Sequence, residues 1–434
     1  MRNVFVIGLD PFNNMLMRQM PGAEDCRFHA ALEYSEAVRP KTRDIDLEAL
    51  VALGDKRLRD FDGEVDGIIW YWDFPSSTIG PILAERHGLP GPRLEAVAAC
   101  EHKYWSRVAQ KECVPDMVPD FSAVDPFAEN PLAQVEIDFP FWLKPVKAHS
   151  SFLGFKIRSR RDFEEALPVI RHGIGIFGRP MEQFLSRLDP PPQVSDVGGH
   201  QCIAEELISA GSQCTLEGWA RRGEVVVYGV IDSMREGRHR SSFSRYQYPS
   251  QLPRRVQARM VDAATRLVRH IDYEDAPFNV EFFWDRKTDE IRLLEINARI
   301  SKSHSPLFHM VDGSAHQKVS TDLATGRRPD FPRREGRYKI AAKFMLRVFE
   351  DGIVRGVPTE EDIARVRRDF PDTFVNLLVE EGQRLAHLPF QDSYSFELAD
   401  VFLGSEDQRL LLEKFRMVRE RLPFDIETTE TEVA

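Results

Sequence analysis

Cysteine is scarce in this sequence of 434 residues, with five cysteines and no CxxC spacing between any two of them. A cysteine-based structural zinc site is therefore not expected, and scattered cysteines favour a reducing compartment over a disulfide framework. No apolar run reaches the ~20 residues of a membrane-spanning helix. A basic segment followed by an apolar one, as in a signal peptide, does not follow Met1. We therefore expect a cytoplasmic protein without membrane contact.

Basic residues are also fewer than acidic ones. The chain has 58 Lys and Arg against 69 Asp and Glu, a formal net charge of −11, which argues against a protein that binds nucleic acid. The hydrophobic share of 42% and the charged share of 29% are those of an ordinary globular protein. The length exceeds what one compact core holds, so we expect roughly two or three domains.

Residues 278–305 contain two strand-like segments, FNVEFFWD and EIRLLEINAR, joined by a turn over residues 286–289. Apolar runs separated by a polar cluster predict a β-hairpin. Because side chains two apart on a strand share a face, Glu295 and Asn297 point the same way, and Glu281 can face them across the hairpin. These oxygens suit a hard divalent cation. Taken alone, however, the pattern favours three polar residues on the wet face of a sheet.

The hairpin resembles the metal-binding strands of the ATP-grasp superfamily, in which an acidic residue in one strand is followed by Glu-x-Asn-x-Arg in the next. The matching residues here are Glu281, Glu295, Asn297 and Arg299. The resemblance implies that the first three bind Mg2+ (or Mn2+) together with the phosphates of ATP, and that Arg299 stabilises the reacting groups.

Two lysines match the superfamily in the expected order. Lys103 lies in the predicted helix 95–112, within HKYWSRVAQKECVP, and the resemblance implies that it reaches an ATP phosphate. On its own, a helical lysine is more often solvated surface. Lys144 lies on the strand-like segment FPFWLKPVK at 139–147. A lysine buried in a strand needs an anionic partner, and the resemblance supplies the phosphates of ATP.

The loop after this strand departs from the superfamily pattern, because it holds His149, Ser150, Ser151 and Phe152 where glycines are usual. The hydroxyl and backbone N–H groups of Ser150 and Ser151 can still donate to phosphate. His149 is either a substrate contact or a structural histidine.

The segment 205–208 resembles the hinge that holds adenine. The resemblance implies that the side chain of Glu205 and the main chain of Glu206 and Ile208 meet the base. Gln213 stands where a ribose-binding residue is common, and its amide can bond a hydroxyl. Without the two lysines, an acidic pair at a sheet edge would be the better interpretation of this segment.

Candidate substrate contacts lie further along the chain. Arg238 belongs to a basic segment at 235–248, which either helps hold a substrate or phosphoryl group or forms a solvated loop. Ser301 and His304 follow the metal-binding motif. His304 is equally compatible with a structural role.

Residues 173–178 read GIGIFG, a formal GxGxxG. A dinucleotide-binding loop follows a strand and opens a helix, whereas this motif follows the predicted helix 162–172. We also expect Arg179-Pro180 to prevent the helix from continuing. The motif is therefore not interpreted as a nucleotide site.

The predicted fold class is α/β, with an α+β arrangement in the ATP-grasp part. Alternating strand-like and helical segments predict a small doubly wound α/β domain over residues 1–100. The resemblance implies an ATP-grasp domain over 101–330, with a lid at about 140–205. Residues 331–434 are expected to form an α+β domain with a disordered tail from residue 427.

The resemblance implies an enzyme that phosphorylates a carboxylate with MgATP, with Lys144 and Arg299 as catalytic residues. An amine then attacks the acyl phosphate, an amide forms, and ADP and phosphate are released. The partners implied are small-molecule carboxylates and amines, with a homodimer as the candidate assembly.

Two alternatives remain open. Residues 297–304, NARISKSH, resemble the NxRIQxEH segment of biotin carboxylase, which implies a carboxylase that uses bicarbonate. Ser303 stands where that enzyme has the glutamate that deprotonates bicarbonate, and a serine is no base at neutral pH. The second alternative is a nucleotide-binding regulatory protein without turnover, which the retained Lys144, Glu281 and Glu295 argue against.

Overall fold

The computed structural model describes residues 1–38, 45–148, 152–208, 211–236, 242–388 and 395–428. The chain forms two compact units that each combine several segments. The first unit contains Met1–Val230, Leu252–Lys302 and His316–Phe331, and the second contains Ile231–Gln251, Ser303–Ala315 and Pro332–Ala434. The three-domain division therefore stays a prediction.

The N-terminal part of the first unit is a parallel sheet with the strand order β2-β1-β3. The run Val4 to Ile7 is buried on both faces, as continuous apolar strands of parallel sheets are. The alternation of strands and helices confirms the predicted α/β arrangement. The elements are β1 (Arg2–Leu9), α1 (Pro11–Arg18), β2 (Cys26–Glu33), α2 (Tyr34–Ala37), α3 (Leu47–Arg59), β3 (Gly67–Trp70) and α4 (Ser76–Arg86).

Two helices, α5 (Leu94–Glu101) and α6 (Lys103–Cys113), replace the single helix predicted over 95–112. His102 breaks the helix because its backbone is extended, with φ −92° and ψ 105°. Its ring then accepts the N–H of Trp105 and caps α6. Lys103 is therefore the first residue of a helix rather than an interior one.

A four-stranded antiparallel sheet with two helices forms the predicted lid region. Its strand order is β4-β7-β5-β6, and Phe141, Leu143 and Phe163 contribute to its separate hydrophobic core. The elements are β4 (Phe121–Val124), β5 (Phe141–Pro145), β6 (Phe155–Ile157), α7 (Arg160–Gly173), α8 (Gly175–Leu185) and β7 (Cys202–Glu206).

The GxGxxG motif spans the junction of α7 and α8, so its glycines lie in helices and not in a strand-to-helix loop. The prediction that Arg179-Pro180 ends the helix is wrong, because α8 continues through Pro180 to Leu185. Apolar burial compensates for the missing N–H of proline here: Phe177, Met181 and Phe184 of this helix are buried in the core of the first unit.

The middle of the chain contributes the sheet that carries the metal-binding motif. In the first unit its strand order is β12-β11-β8-β9, with β11 antiparallel to both neighbours. One face of this sheet packs its apolar side chains against α9, where Cys214 Sγ lies 3.4 Å from Met260 Sδ. The elements are β8 (Ser212–Arg221), β9 (Glu224–Glu236), β10 (Ser242–Tyr248), α9 (Arg254–His270), β11 (Ala276–Trp284), β12 (Ile291–Asn297), α10 (Ser305–Asp312) and α11 (Gln317–Ala324).

The second unit is an antiparallel α+β arrangement, as predicted for the C-terminal part. Its larger sheet has the order β9-β10-β13-β16-β15, and β14 pairs with β17. Phe344 of β13 stacks on Phe415 of α13, with ring centroids 3.8 Å apart. The elements are β13 (Ile340–Val348), β14 (Gly352–Gly356), α12 (Glu360–Asp369), β15 (Phe374–Leu377), β16 (Phe396–Ser405), α13 (Gln408–Glu420) and β17 (Asp425–Thr428).

The predicted start of the disordered tail, residue 427, is too early in the sequence, because Glu427 and Thr428 pair with β14. The remainder, 429–434, lies outside the described residues. Among the residues that are described, none of the helices is long and apolar enough to cross a membrane.

Gly8 near the end of β1 has φ +77°, and a Cβ there would lie 2.8 Å from both Trp72 Cδ1 and Val38 Cγ2. Gly88 also has positive φ, +63°, but a Cβ there would meet nothing within 4 Å. We expect Gly88→Ala to cost about 1–2 kcal/mol from backbone strain alone, and Gly8→Ala to cost more because overlap is added. The midpoints of thermal unfolding of the two variants measure the difference, and equal midpoints would contradict it.

Candidate functional site

The hairpin of β11 and β12 places the predicted metal-binding residues together. Glu281 is directly opposite Glu295, and Asn279 is opposite Asn297. Carboxylates directly opposite each other repel and destabilise a sheet. A bound cation would convert this repulsion into attraction, so the pairing itself is an argument for a metal ion.

The donor set fits a hard divalent ion. Among the residues that the structure describes, no group of three or more His, Cys, Asp or Glu is arranged to hold a metal. Two carboxylates and an amide oxygen are available instead, and oxygen donors of this kind suit Mg2+, which keeps water and phosphate oxygens in its shell. The residues present therefore fit a magnesium ion that is shared with a phosphate ligand.

Asn279 is a member of this face that sequence reasoning missed. The Nδ2 of Asn297 donates to Asn279 Oδ1 at 2.9 Å, and Asn279 Nδ2 donates to the carbonyl oxygen of Arg299 at 3.0 Å. These bonds fix the amide of Asn297 with its nitrogen toward Asn279. Asn279 lies two residues before Glu281 and therefore on the same face of the strand, and this spacing could have identified it from the sequence.

Gln213 lies on the neighbouring strand β8 and contacts the metal-binding face. Its Nε2 donates to Glu281 Oε2 at 2.7 Å. In this structure its side chain is thus directed to a predicted metal ligand, and the role predicted for it at a ribose stays a prediction.

Lys144 has a protein anion as its partner. Its Nζ lies 2.5 Å from Glu205 Oε2, and Arg107 Nε donates to the other oxygen of Glu205 at 2.8 Å. Burial alone would raise the pKa of Glu205, but the two cations lower it to about 2. The predicted adenine contact and the predicted phosphate contact are therefore joined by an ion pair.

Arg107 was not identified from the sequence, where it reads as one more charged residue on a helix. Its side chain is only 2% exposed, and Nη1 donates to the carbonyl oxygen of Leu293 at 2.9 Å. Arg107 therefore connects α6 to the strand that carries Glu295.

The rest of the predicted hinge follows β7. The N–H of Glu206 donates to the carbonyl oxygen of Asp120 at 3.0 Å, and the Glu206 side chain is exposed. Ile208 follows the strand and is half-buried.

Lys103 extends from the first turn of α6 toward the start of the predicted phosphate loop. Its Nζ donates to the carbonyl oxygen of Ala148 at 2.8 Å. Burial, together with the neighbouring charge of Lys147, lowers the pKa of Lys103 to about 8, while Glu295 acts in the opposite direction. Lys103 is therefore electrostatically coupled to Glu295, a predicted metal ligand.

Lys147, which was not assigned a role from the sequence, forms a buried ion pair with Glu101 of α5. Its Nζ also lies 5.3 Å from the ring centroid of Phe74. Lys103, Lys144 and Lys147 concentrate positive charge next to the predicted phosphate loop. The loop residues His149, Ser150 and Ser151 lie outside the described part of the chain.

Arg299 lies immediately beyond the metal-binding strand. Its Nη2 donates to Asp73 Oδ1 at 2.6 Å. Burial would lower the pKa of Arg299, but the ion pair with Asp73 raises it above its usual value. The guanidinium thus remains charged in a nearly dry environment.

The backbone of Ser301, a predicted substrate contact, is held by two buried side chains. Its N–H donates to Glu217 Oε1 at 3.2 Å, and its carbonyl oxygen accepts from His316 Nε2 at 2.9 Å. Burial raises the pKa of Glu217 well above its usual value and lowers the pKa of His316 to about 3. His316 is therefore neutral at pH 7. Neither Glu217 nor His316 was identified from the sequence.

Two further substrate contacts, His304 and Arg238, were predicted from the sequence. His304 belongs to the second unit, where its ring packs edge-on against Tyr246 with centroids 5.2 Å apart. Much of the basic segment 235–248 forms strand β10 and not a loop, and Arg238 lies outside the described residues.

Parts of the sequence match known proteins. Residues 219–329 match the family described as "Carbamoyl-phosphate synthase L chain, ATP binding domain". The chain is similar to urea amidolyase of Saccharomyces cerevisiae, with 24% identity over 242 residues. That match covers 56% of this chain and 12% of the length of the urea amidolyase.

Solved structures show a likeness over the whole chain. An L-amino acid ligase from Bacillus licheniformis has a TM-score of 0.69 and 16% identity, covering 99% of each chain. A biotin carboxylase from Campylobacter jejuni has a TM-score of 0.61 and 14% identity, covering 98% of this chain and 92% of the other.

The chain has the ATP-grasp fold, and the resemblance to the ATP-grasp superfamily is confirmed. Within that fold, residues 219–329 match an ATP-binding domain family. This range includes Arg299 and the hairpin that is predicted to bind a metal ion.

Glu205 should contribute to stability in a pH-dependent way. Because its pKa in the folded protein, about 2, lies below the ordinary value of about 4.3, its charge stabilises the fold above that value. The contribution is lost as the pH falls toward 2. We expect Glu205→Gln to cost about 3 kcal/mol at pH 7, because Lys144 and Arg107 lose their shared anion, and the difference from wild type to shrink below pH 5.

Urea unfolding at several pH values measures this difference. Glu206→Gln is the matched control, since Glu206 is the next residue but its side chain is exposed. A constant difference between Glu205→Gln and wild type from pH 7 to pH 3 would contradict the assignment.

Proposed function

We propose that the chain is an ATP-dependent ligase, which phosphorylates a carboxylate and joins it to an amine. The observation that carries the proposal is the direct pairing of Glu281 with Glu295, with Arg299 following on the same segment. An acid pair that suits Mg2+, next to a buried cation that suits a transferred phosphoryl group, is what this reaction needs.

Glu281, Glu295 and Asn297 would hold Mg2+ (or Mn2+), which when bound neutralises phosphate charge and aligns the β- and γ-oxygens. Gln213 supports this set, because its bond to Glu281 Oε2 restricts the rotation of that carboxylate.

Lys103 and Lys144 would hold the phosphates of ATP. An anion beside Lys103 would raise its lowered pKa and secure its charge. Lys144 is oriented by Glu205, so that its ammonium lies in one position before the nucleotide arrives. The hydroxyls of Ser150 and Ser151 are proposed as additional donors, and the main chain of Glu206 and Ile208 as the adenine contact.

Arg299 would stabilise the charge that develops as the carboxylate attacks the γ-phosphoryl group, and later the charge of the tetrahedral intermediate. The bond that forms in the first step joins the carboxylate oxygen to phosphorus, and the bond to ADP breaks. In the second step the amine nitrogen bonds to the acyl carbon, loses a proton and displaces phosphate. None of these steps needs a covalent protein intermediate.

The three-part division is proposed on the same basis. Residues 1–100 would help bind the carboxylate substrate. Residues 101–330 would bind MgATP, with the lid at about 140–205. Residues 331–434 would form the third domain.

A carboxylase that uses bicarbonate is the second candidate. The similarity to a biotin carboxylase structure supports it. Ser303 counts against it, because the position of the expected base holds a hydroxyl that stays protonated at neutral pH.

The assay measures ADP release by the purified chain with MgATP in three arms: pooled carboxylates with pooled amines, carboxylates alone, and bicarbonate alone. Release that requires both an acid and an amine supports the ligase. Release with bicarbonate alone supports the carboxylase and contradicts the ligase.

Glu295→Gln should lower turnover by about 10²- to 10³-fold, because a charged metal ligand is replaced by a neutral one. When both proteins are measured without metal, the variant should be as stable as wild type or slightly more stable, since the repulsion with Glu281 is removed. Glu290→Gln in the exposed part of the same hairpin is the control and should change neither quantity. Turnover of Glu295→Gln within threefold of wild type would contradict the metal assignment.

A further inference from the structure

The end of strand β3 contacts the segment that carries Arg299, within the first unit. Trp70 Nε1 donates to the carbonyl oxygen of Ala298 at 2.8 Å, and Asp73 Oδ1 accepts from Arg299 Nη2 at 2.6 Å. Residues 226 positions apart in the sequence are thereby joined by an ion pair.

A third contact follows at the next turn of the chain. The ammonium of Lys302 lies 4.5 Å from the ring of Trp72, and Trp72 Nε1 donates to the carbonyl oxygen of Gly8 at 2.8 Å. Ligands of parallel α/β sheets bind at the carboxyl ends of the strands, which is where Gly8 and Trp72 lie.

The backbone and the side-chain tip of Arg299 are held by different groups. Its carbonyl oxygen accepts from Asn279, and the next residue but one, Ser301, is held by Glu217. These contacts fix the main chain. The guanidinium has two acceptors of its own, because Nη1 donates to the carbonyl oxygen of Ile300 at 3.2 Å and Nη2 donates to an acid. The Ile300 carbonyl is neutral, so the direction of the guanidinium depends mainly on its charged partner.

Asp73 is that partner, and its own side chain is 41% exposed while that of Arg299 is 12% exposed. Two other acids, Glu101 and Glu295, also attract Arg299. Glu101 is already engaged by Lys147, whereas Glu295 is a predicted metal ligand. Glu101 attracts Arg299 more strongly than Glu295 does, but its charge is compensated by Lys147. Without the charge of Asp73, Arg299 would therefore be drawn toward Glu295, the acid that is predicted to bind Mg2+.

We propose that Asp73 is a positioning residue, which directs Arg299 toward the reacting groups and keeps it away from Glu295. The inference rests on the proposed function for the role of Arg299. It assigns to the N-terminal part of the chain a task in the chemistry and not only in substrate binding. Asp73 follows the buried strand β3, which ends at Trp70, and its carboxylate accepts from the Arg299 guanidinium.

Asp73→Asn retains the size and one acceptor oxygen but loses the charge. We expect turnover to fall by about 10²-fold, as misplacement of a reacting group does, and the Mg2+ concentration for half-maximal activity to rise several-fold. The latter is a readout that a purely structural role would leave unchanged. Asp73→Glu should restore part of the activity, because the charge returns at a slightly different distance.

Asp272→Asn is the matched control, since Asp272 forms an exposed ion pair with Arg93 at 3.3 Å in the same unit. It should leave turnover and the Mg2+ requirement unchanged. The thermal midpoint of Asp73→Asn should lie close to that of the control.

A double-mutant cycle decides whether Asp73 acts through Arg299. If it does, Arg299→Gln and the double variant with Asp73→Asn should have the same turnover. If the two losses multiply, Asp73 acts independently and the inference is overturned.

An equilibrium measurement separates this inference from the proposed reaction. Binding of MgADP, measured by calorimetry on the full chain, should weaken in Asp73→Asn and should regain wild-type strength when Arg299→Gln is added. If wild type releases no ADP with any acid and amine, the ligase proposal fails, while this binding pattern still supports the positioning role. Unchanged MgADP binding in Asp73→Asn would overturn it.

Discussion

The repulsion between Glu281 and Glu295 is the constraint on which the rest of the site depends. The register of one hairpin places both carboxylates opposite each other. Two like charges in this position destabilise the sheet when no cation lies between them. Two neighbouring groups are held away from or against these acids: Gln213 donates to Glu281, and the guanidinium of Arg299 is paired with Asp73.

A second principle governs the cations. Lys144 and Lys147 each have a buried carboxylate partner, Glu205 and Glu101, which reduces the cost of burying them before a phosphate arrives. Lys103 has only a carbonyl oxygen among its hydrogen-bond partners in the described part of the chain. Carboxylates thus compensate the charges of two of these three lysines, and Lys103 is the one whose charge a bound anion would stabilise.

The fold class and the hairpin could be predicted from the sequence because they depend on local periodicity and on a motif within one pair of strands. The groups that position the site could not. Asp73, Glu217 and Arg107 contact residues far away in the chain, and side-chain contacts across such distances leave no local pattern. The extended backbone of His102 and the continuation of α8 through Pro180 were also missed, since tertiary packing overrides local propensity there.

The lowered pKa of Lys103, about 8, has a chemical consequence of its own. At pH 7 about a tenth of such side chains are neutral amines, against less than a thousandth for an ordinary lysine. A neutral amine is a nucleophile. An anion bound beside Lys103 would raise this pKa and keep the amine protonated, so the contact that holds an anion would also suppress the reactivity of the lysine.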